Sequence, residues 1–365
     1  MKKLQAVFYF IFLAIGFFYS GCISIGFSQE TNSLRLNQIR ILASHNSYKK
    51  KPDPRLMKFL AKVKNKIGEE NDPIQLEYGH ELLSTQLSDY MVRGFELDVY
   101  YDAKGGKFAK RKINSFVVGL KTKSKEKALK TPGFKVLHIA DIDYETNYLT
   151  LEAALSEIRD WSIKHPLHCP LFINLEVKSS SPADVSKFLR WVGFKRATQF
   201  TPNTFHLLDS LIEANFSQGL LFSPSEMKKN YASLRERVNR EGWPLLSDCR
   251  GKTFFILEGD NVELYTNKAE RPIFLYGDVS DENVVFLLRN DPIGNEEEIN
   301  KLTANYIVRT RSDAGTLEAR KNDYSRFNAA LKSNAQIIST DYYKADPAIG
   351  KFVIQLGEEF LIRKE

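Results

Sequence analysis

Two acidic residues stand two positions apart in an otherwise apolar run, at Glu96 and Asp98 within Arg93–Tyr100. In a β-strand, residues two apart point to the same face, so both carboxylates would face one buried interior. Burying such a pair is costly unless a cation compensates its charge. If both faced solvent instead, the apolar residues beside them would have to fill that interior. The spacing therefore predicts a site for a hard divalent cation, Ca²⁺ or Mg²⁺, which prefers oxygen ligands.

Three further apolar runs carry side chains that could act together with such a cation site. One run is followed by His45 and Asn46, another ends at His138, and a third contains Glu176. The predicted oxygen ligands are Asn46, Glu96, Asp98 and Glu176. The two histidines beside them could transfer protons. One base, one acid and one cation are what cleavage of a phosphodiester needs.

Several strands must carry these groups to one place. Eight short β-rich runs recur along the chain, at Ile39–Ala43, Gly94–Tyr101, Lys135–Ile139, Leu171–Val177, Leu220–Phe222, Thr253–Leu257, Tyr306–Arg309 and Ile337–Ser339. Most are apolar enough to be buried on both faces, which is typical of parallel strands covered by helices. Helical patterns lie between them, at Leu151–Lys164, Ala183–Val192 and Asn322–Asn334.

This alternation predicts an α/β fold with a single (β/α)₈ TIM barrel. An open doubly wound sheet would show the same alternation, but the sequence has no GxGxxG turn to place a dinucleotide. In a barrel, catalytic groups lie at the C-terminal ends of the strands, where the candidate residues stand. The 365 residues are 43% hydrophobic and 27% charged, which excludes disordered and collagen-like classes.

The first residues are typical of a secretory signal peptide: a cationic start at Met1–Lys3 and an apolar run at Leu4–Phe18. We therefore expect residues 1–28 to be removed and residues 29–365 to form the catalytic barrel of a protein that is secreted, periplasmic or on the outer surface. Alternatively, Ser20-Gly21-Cys22 resembles a lipoprotein box, although Tyr19 stands where that box usually has Leu, and Cys22 would then carry a lipid anchor. An uncleaved anchor is the third alternative, but the run is short of the roughly 20 residues that a span needs. Cys169 and Cys249 could form one disulfide in such a compartment.

The net charge of +7 is concentrated in two segments. Between Lys104 and Lys135 there are eleven basic residues and one acid, Glu126, which predicts a basic insertion at about 102–135. A smaller basic cluster occupies Lys49–Lys66. Such clusters suit an anionic surface, either lipid headgroups or nucleic acid. The alternative is a solvated insertion whose charge only aids solubility.

Taken together, these motifs resemble the calcium-dependent phosphatidylinositol-specific phospholipase C family. They are HNSY at 45–48, ELDVY at 96–100, His138, LEVK at 175–178, YIVRTRSD at 306–313 and AQIISTDY at 335–342. The likeness runs from about Leu36 to Tyr343. It implies a barrel of the PLC-like phosphodiesterase type, His45 and His138 as an acid/base pair, and Ca²⁺ on the four oxygen ligands. It further implies substrate-binding roles for Lys178, Arg309, Arg311 and Asp341.

The resemblance implies a phospholipid or glycerophosphodiester substrate, cleaved between glycerol and phosphate through a cyclic inositol phosphate. We accordingly expect an anionic membrane surface as partner, no nucleic acid, and a monomer. A glycerophosphodiester phosphodiesterase or sphingomyelinase-like hydrolase using water is an alternative, since it shares the E-x-D and LE-x-K strands. Those enzymes usually carry His-Arg after the first strand, whereas this chain has His45-Asn46. A catalytically silent lipid-binding module is a further alternative, but such a module needs no proton-transfer pair.

Overall fold

The barrel wall consists of eight parallel strands in a computed structural model that describes residues 33–64, 72–217 and 219–363. These strands are β1 (Ile39–Ser44), β2 (Val92–Asp102), β4 (Leu171–Val177), β5 (Thr253–Gly259), β6 (Phe274–Leu275), β7 (Phe286–Leu288), β8 (Ile307–Arg311) and β9 (Ile337–Thr340). Their order is β6-β5-β4-β2-β1-β9-β8-β7, and a parallel bridge between Tyr276 and Phe286 joins the two ends of the series. The predicted single (β/α)₈ barrel is confirmed.

Two of the eight predicted strands are not part of this wall. Residues Gly133–Val136 form β3, which pairs antiparallel with the end of β2 and extends outside the barrel. The run Leu220–Phe222 makes only an isolated bridge, from Leu221 to Thr253. The wall is completed by β6 and β7, which the sequence analysis missed because runs of two and three residues show no periodicity. A last short strand, β10 (Leu361–Ile362), pairs antiparallel with the start of β1.

The helices cover the outside of the wall and form part of the connections. They are α1 (Pro54–Val63), α2 (Leu83–Asp89), α3 (Leu151–Lys164), α4 (Pro182–Val185), α5 (Lys187–Trp191), α6 (Pro202–Asn215), α7 (Pro224–Lys228), α8 (Leu234–Glu241), α9 (Leu246–Cys249), α10 (Glu296–Leu302), α11 (Leu317–Lys321) and α12 (Ser325–Lys332). Short 3₁₀ turns lie at Leu36–Gln38, Pro73–Leu76, Lys107–Ala109, Lys112–Phe116, Lys127–Leu129, Val262–Leu264 and Lys268–Glu270.

The predicted helix at Leu151–Lys164 has the expected bounds because Thr150 caps it: its hydroxyl accepts the backbone N–H of Ala153 at 3.3 Å. The predicted helix Ala183–Val192 is instead two short helices, α4 and α5. The predicted helix Asn322–Asn334 corresponds to α12, which begins three residues later and ends two residues earlier. No helix within the described ranges is both long and apolar enough to cross a membrane.

Strand alternation divides the core into two layers. One face of the strands packs against the helices in a cluster that includes Leu97 and Leu175. The other face fills the barrel interior with a second cluster, in which Phe172, Phe254 and Phe286 are in ring contact. Further along the same interior face the side chains become charged, so the apolar residues form the floor on which a polar site rests.

The basic insertion leaves the barrel at the end of β2. Asp102 anchors its first turn by accepting the backbone N–H groups of Gly105 and Lys107, both at 2.9 Å. Lys135 is fully buried and donates to the carbonyls of Ala128 and Thr131, so this lysine belongs to the fold and not to a charged surface.

The signal segment at residues 1–28, its Cys22, and Lys66 of the smaller basic cluster lie outside the described residues. Cys169 and Cys249 are both buried and free, so the structure forms no disulfide between them.

The aromatic floor should dominate stability. Phe254 is fully buried and its ring contacts those of Phe172, Phe222, Phe274 and Phe286. We expect Phe254→Ala to lower the free energy of unfolding by about 3–5 kcal/mol, because the lost apolar burial leaves a cavity that this packed floor cannot fill. Urea unfolding followed by circular dichroism measures the change. The exposed Leu167 gives the control: Leu167→Ala should shift the free energy by less than about 0.5 kcal/mol. Equal effects of the two variants would contradict this account of the core.

Candidate active site

Carboxylates converge inside the barrel at the C-terminal ends of adjacent strands. Asp98 on β2 is in register with Glu176 on β4, which is in register with Glu258 on β5. Glu96 lies one inward-facing position earlier on β2. One carboxylate oxygen from each of Glu96, Asp98 and Glu176 lies within 4.8 Å of the others. The predicted pairing of two carboxylates on one strand face is therefore what the structure shows.

Two cations lie among these carboxylates. Lys178 forms ion pairs with Glu176 and, at 3.2 Å, with Asp98. Arg309, buried on β8, pairs with Glu96 and lies 3.7 Å from Glu258. Burial alone would raise the pKa of Glu96, but the charges of Arg309 and His45 outweigh it and lower that pKa to about 2. Glu96 is thus held as an anion.

Nearby cations offset the burial of Asp98 and Glu258 less completely than that of Glu96. Burial and the neighbouring Glu176 raise the pKa of Asp98 well above its ordinary value. Both of its oxygens are buried, and within the described residues neither has a hydrogen-bond partner, since Lys178 lies at ion-pair distance without hydrogen-bond geometry. Burial likewise raises the pKa of Glu258 to about 7, because Arg309 offsets only part of the cost and Glu96 adds repulsion. A buried carboxylate cluster with unpartnered oxygens fits a divalent cation, which would stabilise the charged form of these groups.

His45 is held at the end of β1 by two carboxylates. Its Nδ1 lies 2.8 Å from Asp341 Oδ1 and its Nε2 lies 3.4 Å from Glu96 Oε1. Asp341 in turn accepts a hydrogen bond from Arg311 at 2.8 Å. Burial would raise the pKa of Asp341, but Arg311 and His45 reverse this and hold that pKa well below its usual range. The carboxylate that contacts Nδ1 is therefore charged at neutral pH.

His138 is held by an independent pair of residues. Its Nδ1 lies 2.7 Å from Asp143 Oδ2, and the ammonium of Lys49 lies 3.2 Å from the same oxygen. Lys49 is fully buried and also donates to the carbonyls of Leu76 and Tyr78. This lysine therefore fixes Asp143 in place and neutralises part of its charge.

The loop after β1 is tied to β2 by Ser47. Its hydroxyl accepts the backbone N–H of Glu96 at 2.8 Å, and its own N–H donates to the Glu96 carbonyl at 2.9 Å. Asn46 adopts a positive φ of 47°, which asparagine tolerates better than most residues. Its side-chain amide donates to Tyr78 Oη at 2.7 Å, and its Oδ1 accepts from Tyr48 at 3.3 Å. These contacts fix the orientation of the Asn46 side chain, while Ser47 ties the loop that carries it to β2.

The structure brings most of the predicted site residues together, with contacts that sequence could not show. Lys178 contacts two of the proposed metal ligands, and Arg309 is buried against a third, Glu96. Arg311 and Asp341 contact each other beside His45. The substrate-binding roles of these four residues stay predictions, although each now has a protein partner.

Two residues of the site were missed, Glu258 and Asp143. Glu258 lies near the end of β5 in an apolar run, and the sequence could have identified it as an inward-facing acid at a strand end. Asp143 lies in an irregular loop, where no periodicity indicates which way a side chain points. The other histidines lie apart from the carboxylates. His165 and His168 contact Trp161, and His206 lies on α6. His80 lies behind the site, where its Nε2 contacts the carbonyl of His45 at 2.8 Å.

Comparisons with known proteins identify the family of the chain and solved structures of similar fold. Residues 34–365 match the family model described as Ca²⁺-dependent phosphoinositide phospholipase C. The fold is similar to that of a calcium-dependent phosphoinositol-specific phospholipase C from a Gram-negative bacterium, Pseudomonas sp., in an apo form, with a TM-score of 0.53, 17% identity, and coverage of 91% of this chain and 96% of that chain. A second structure of the Pseudomonas enzyme, described as a myoinositol complex, has a TM-score of 0.53 and 16% identity. The similarity covers 92% of this chain and 97% of that chain. No curated protein matches the chain.

At such identities the solved structures show a shared fold, while the family match shows relatedness. The match covers the barrel and every candidate site residue named above. The chain therefore belongs to the Ca²⁺-dependent phosphoinositide phospholipase C family, whose members are phosphodiesterases.

Proposed function

We propose that the enzyme cleaves a phosphatidylinositol-type phospholipid between glycerol and phosphate, forming a cyclic inositol phosphate first. The observation that carries this proposal is the pairing of each histidine with its own carboxylate through Nδ1, together with the contact of His45 with Glu96 of the carboxylate cluster. Such pairing fixes the ring and leaves Nε2 as the atom for proton transfer. Two oriented imidazoles beside a cation site supply the base, the acid and the charge that phosphodiester cleavage needs.

His45 acts as the base in this proposal. When it takes the proton of the inositol hydroxyl on Nε2, its positive charge faces Asp341 at 2.8 Å and Glu96 at 3.4 Å. The hydroxyl oxygen, now bonded to phosphorus, closes the ring. An adjacent hydroxyl is already within reach, so this attack benefits from a large effective molarity.

His138 acts as the acid. It gives its proton to the glycerol oxygen as the phosphorus–oxygen bond breaks, which releases diacylglycerol. Lys49 holds the Asp143 carboxylate that contacts Nδ1 of His138, so the Nε2 atom keeps a fixed direction for proton transfer. In a slower second step, water opens the cyclic phosphate with the two histidines in reversed roles.

Glu96, Asp98 and Glu176 would hold the cation, with Asn46 as a fourth oxygen ligand. When bound there, Ca²⁺ would lower the pKa of the attacking hydroxyl and stabilise negative charge on the phosphate. Mg²⁺ accepts the same oxygen ligands and is the alternative ion. Lys178 is partly exposed and could turn from the carboxylates toward the phosphate, whereas Arg309 would remain buried against Glu96.

Direct attack by water, as in a glycerophosphodiester phosphodiesterase, remains the second candidate function because it would use the same metal site. We further propose that the enzyme works outside the cytoplasm as a monomer, after export directed by residues 1–28. The cationic and apolar runs of that segment support export.

The first prediction concerns the metal. Glu176→Gln should weaken Ca²⁺ binding strongly in calorimetry, because the site loses one of three converging charges. The control is Glu152→Gln on the exposed start of α3, which should bind Ca²⁺ like the unmodified protein. Equal affinity of the two variants would remove Glu176 from the metal site.

A second prediction concerns the reaction path. Phosphorus NMR of the early reaction with phosphatidylinositol should show a cyclic phosphodiester before the monoester. A lipid analogue lacking the adjacent hydroxyl should resist cleavage. His45→Ala and His138→Ala should each lower the rate by about 10² to 10⁴, the range for one general acid or base, with Ca²⁺ affinity largely kept. Prompt hydrolysis of the analogue without any cyclic species would support attack by water instead.

A third prediction concerns the residue that orients His138. Asp143→Asn keeps the size of the side chain but removes its charge, so the histidine loses the partner that fixes its tautomer. The rate should fall by about 10² or more, with KM and Ca²⁺ affinity little changed. The matched control is Asp160→Asn, an exposed residue on α3, which should leave the rate unchanged. A raised KM with an unchanged kcat would assign Asp143 to substrate binding.

A further inference from the structure

Large apolar side chains are exposed on the helices that follow β4. In α4 and α5, Val185, Phe188 and Trp191 are 84%, 65% and 81% exposed. The rings of Phe188 and Trp191 lie side by side, with centroids 6.1 Å apart. Single exposed apolar residues are common on protein surfaces, but adjacent exposed aromatic rings mark an interaction site.

The basic insertion carries further exposed apolar residues, Phe116 and Val118, of which Val118 is 95% exposed. A shared carboxylate joins the two segments. Asp141 accepts the backbone N–H of Lys112 and the backbone N–H of Lys195, both at 2.6 Å. The insertion and the two helices are therefore fixed to one another.

Beneath them lies a small apolar core, separate from the two barrel clusters. It is formed by Ile113 and Val117 of the insertion with Ala183 and Phe194 of the helical segment, together with α1. The exposed side chains of both segments thus belong to elements that pack on the same small core. We call this surface the apolar rim, consisting of Phe116, Val118, Val185, Phe188 and Trp191.

The apolar rim has a basic surround and adjoins the active site. Exposed cations on the same two segments include Lys110, Lys121, Lys123, Lys125, Lys187 and Lys195. The insertion follows β2 and the helices follow β4, so both stand at the end of the barrel where the carboxylates converge. Asp141, which joins the segments, is three residues beyond His138.

We propose that the apolar rim docks the enzyme on an anionic lipid bilayer, with Phe188 and Trp191 entering the interface and the lysines contacting headgroups. Aromatic residues favour the membrane–water interface, and each basic residue near an anionic surface adds attraction. A protein partner would also suit exposed aromatics, but apart from the buried Lys135 the insertion carries ten basic residues and one acid, which favours a surface of dense negative charge. The inference rests on the proposed function for its purpose, since docking there presents the site to its lipid substrate.

The test measures binding without catalysis, using vesicles of phosphatidylserine and phosphatidylcholine in the presence of chelator. Phosphatidylserine has no hydroxyl beside its phosphate, so it is not a substrate of the proposed reaction. The chain has three tryptophans, of which Trp161 and Trp243 are buried. A blue shift of emission on vesicle addition should therefore arise from Trp191 and disappear in Trp191→Phe.

Sedimentation with the vesicles gives the second measurement. Phe188→Ala/Trp191→Ala should bind about 10- to 100-fold more weakly, the loss expected when two aromatic side chains no longer leave water. The matched control is Ile163→Ala/Leu167→Ala, which removes two exposed apolar residues at the opposite end of the barrel, just before β4. That control should bind like the unmodified protein. Both variants should keep their circular dichroism and their activity on a soluble monomeric phosphodiester.

Several outcomes would overturn the proposal. These are failure of the unmodified protein to bind the vesicles, an equal loss of binding in the two double variants, or association of the protein with itself through the apolar rim in place of vesicle binding. Vesicle binding by a protein that cleaves no phosphodiester would refute the proposed function and leave the docking surface standing. Cleavage of soluble substrate without vesicle binding would support the proposed function and refute the docking surface.

Discussion

The structure depends on the placement of four carboxylates inside the barrel, at the C-terminal ends of its strands. Glu96, Asp98, Glu176 and Glu258 come from three neighbouring strands, and two cations, Lys178 and Arg309, stand among them. Their mutual repulsion is large at such distances because buried charges are poorly screened. The arrangement persists only where the fold forces the strands together. A buried carboxylate cluster of this kind therefore destabilises the fold, and the packing of the rest of the barrel must offset that cost.

The barrel supplies that force with its apolar floor. Four residues before the carboxylates on β4 and β5, on the same interior face, lie Phe172 and Phe254, whose stacked rings are 5.2 Å apart. Burying these rings favours the closed wall, and parallel pairing then fixes the register of Asp98, Glu176 and Glu258. The apolar floor and the carboxylates thus occupy the same series of inward-facing positions along the strands. Changing the register by one residue would turn the carboxylates toward the helices.

Sequence predicted those parts of the site that strand periodicity controls. The period of two placed Glu96 and Asp98 on one face, and long apolar runs located β1, β2, β4 and β5. It could not locate β6 and β7, because two or three residues carry no period and their pairing depends on closure of the barrel. The burial of Lys49 was also not predictable from the sequence. The sequence placed it in a surface basic cluster, whereas tertiary contacts bury it against Asp143.

The two histidines are held by different parts of the molecule, and this has a consequence for how the site is assembled. His45 follows a barrel strand, and its partner Asp341 follows the neighbouring strand β9, so their contact depends on the register of the wall. His138 and Asp143 belong to a loop beyond β3, outside the wall, and Lys49 connects that loop to the residues after β1. The same loop contains Asp141, which holds the insertion against the helices after β4. Displacement of those surface segments would therefore act first on His138, whereas His45 and the carboxylates are held mainly by the strands of the wall.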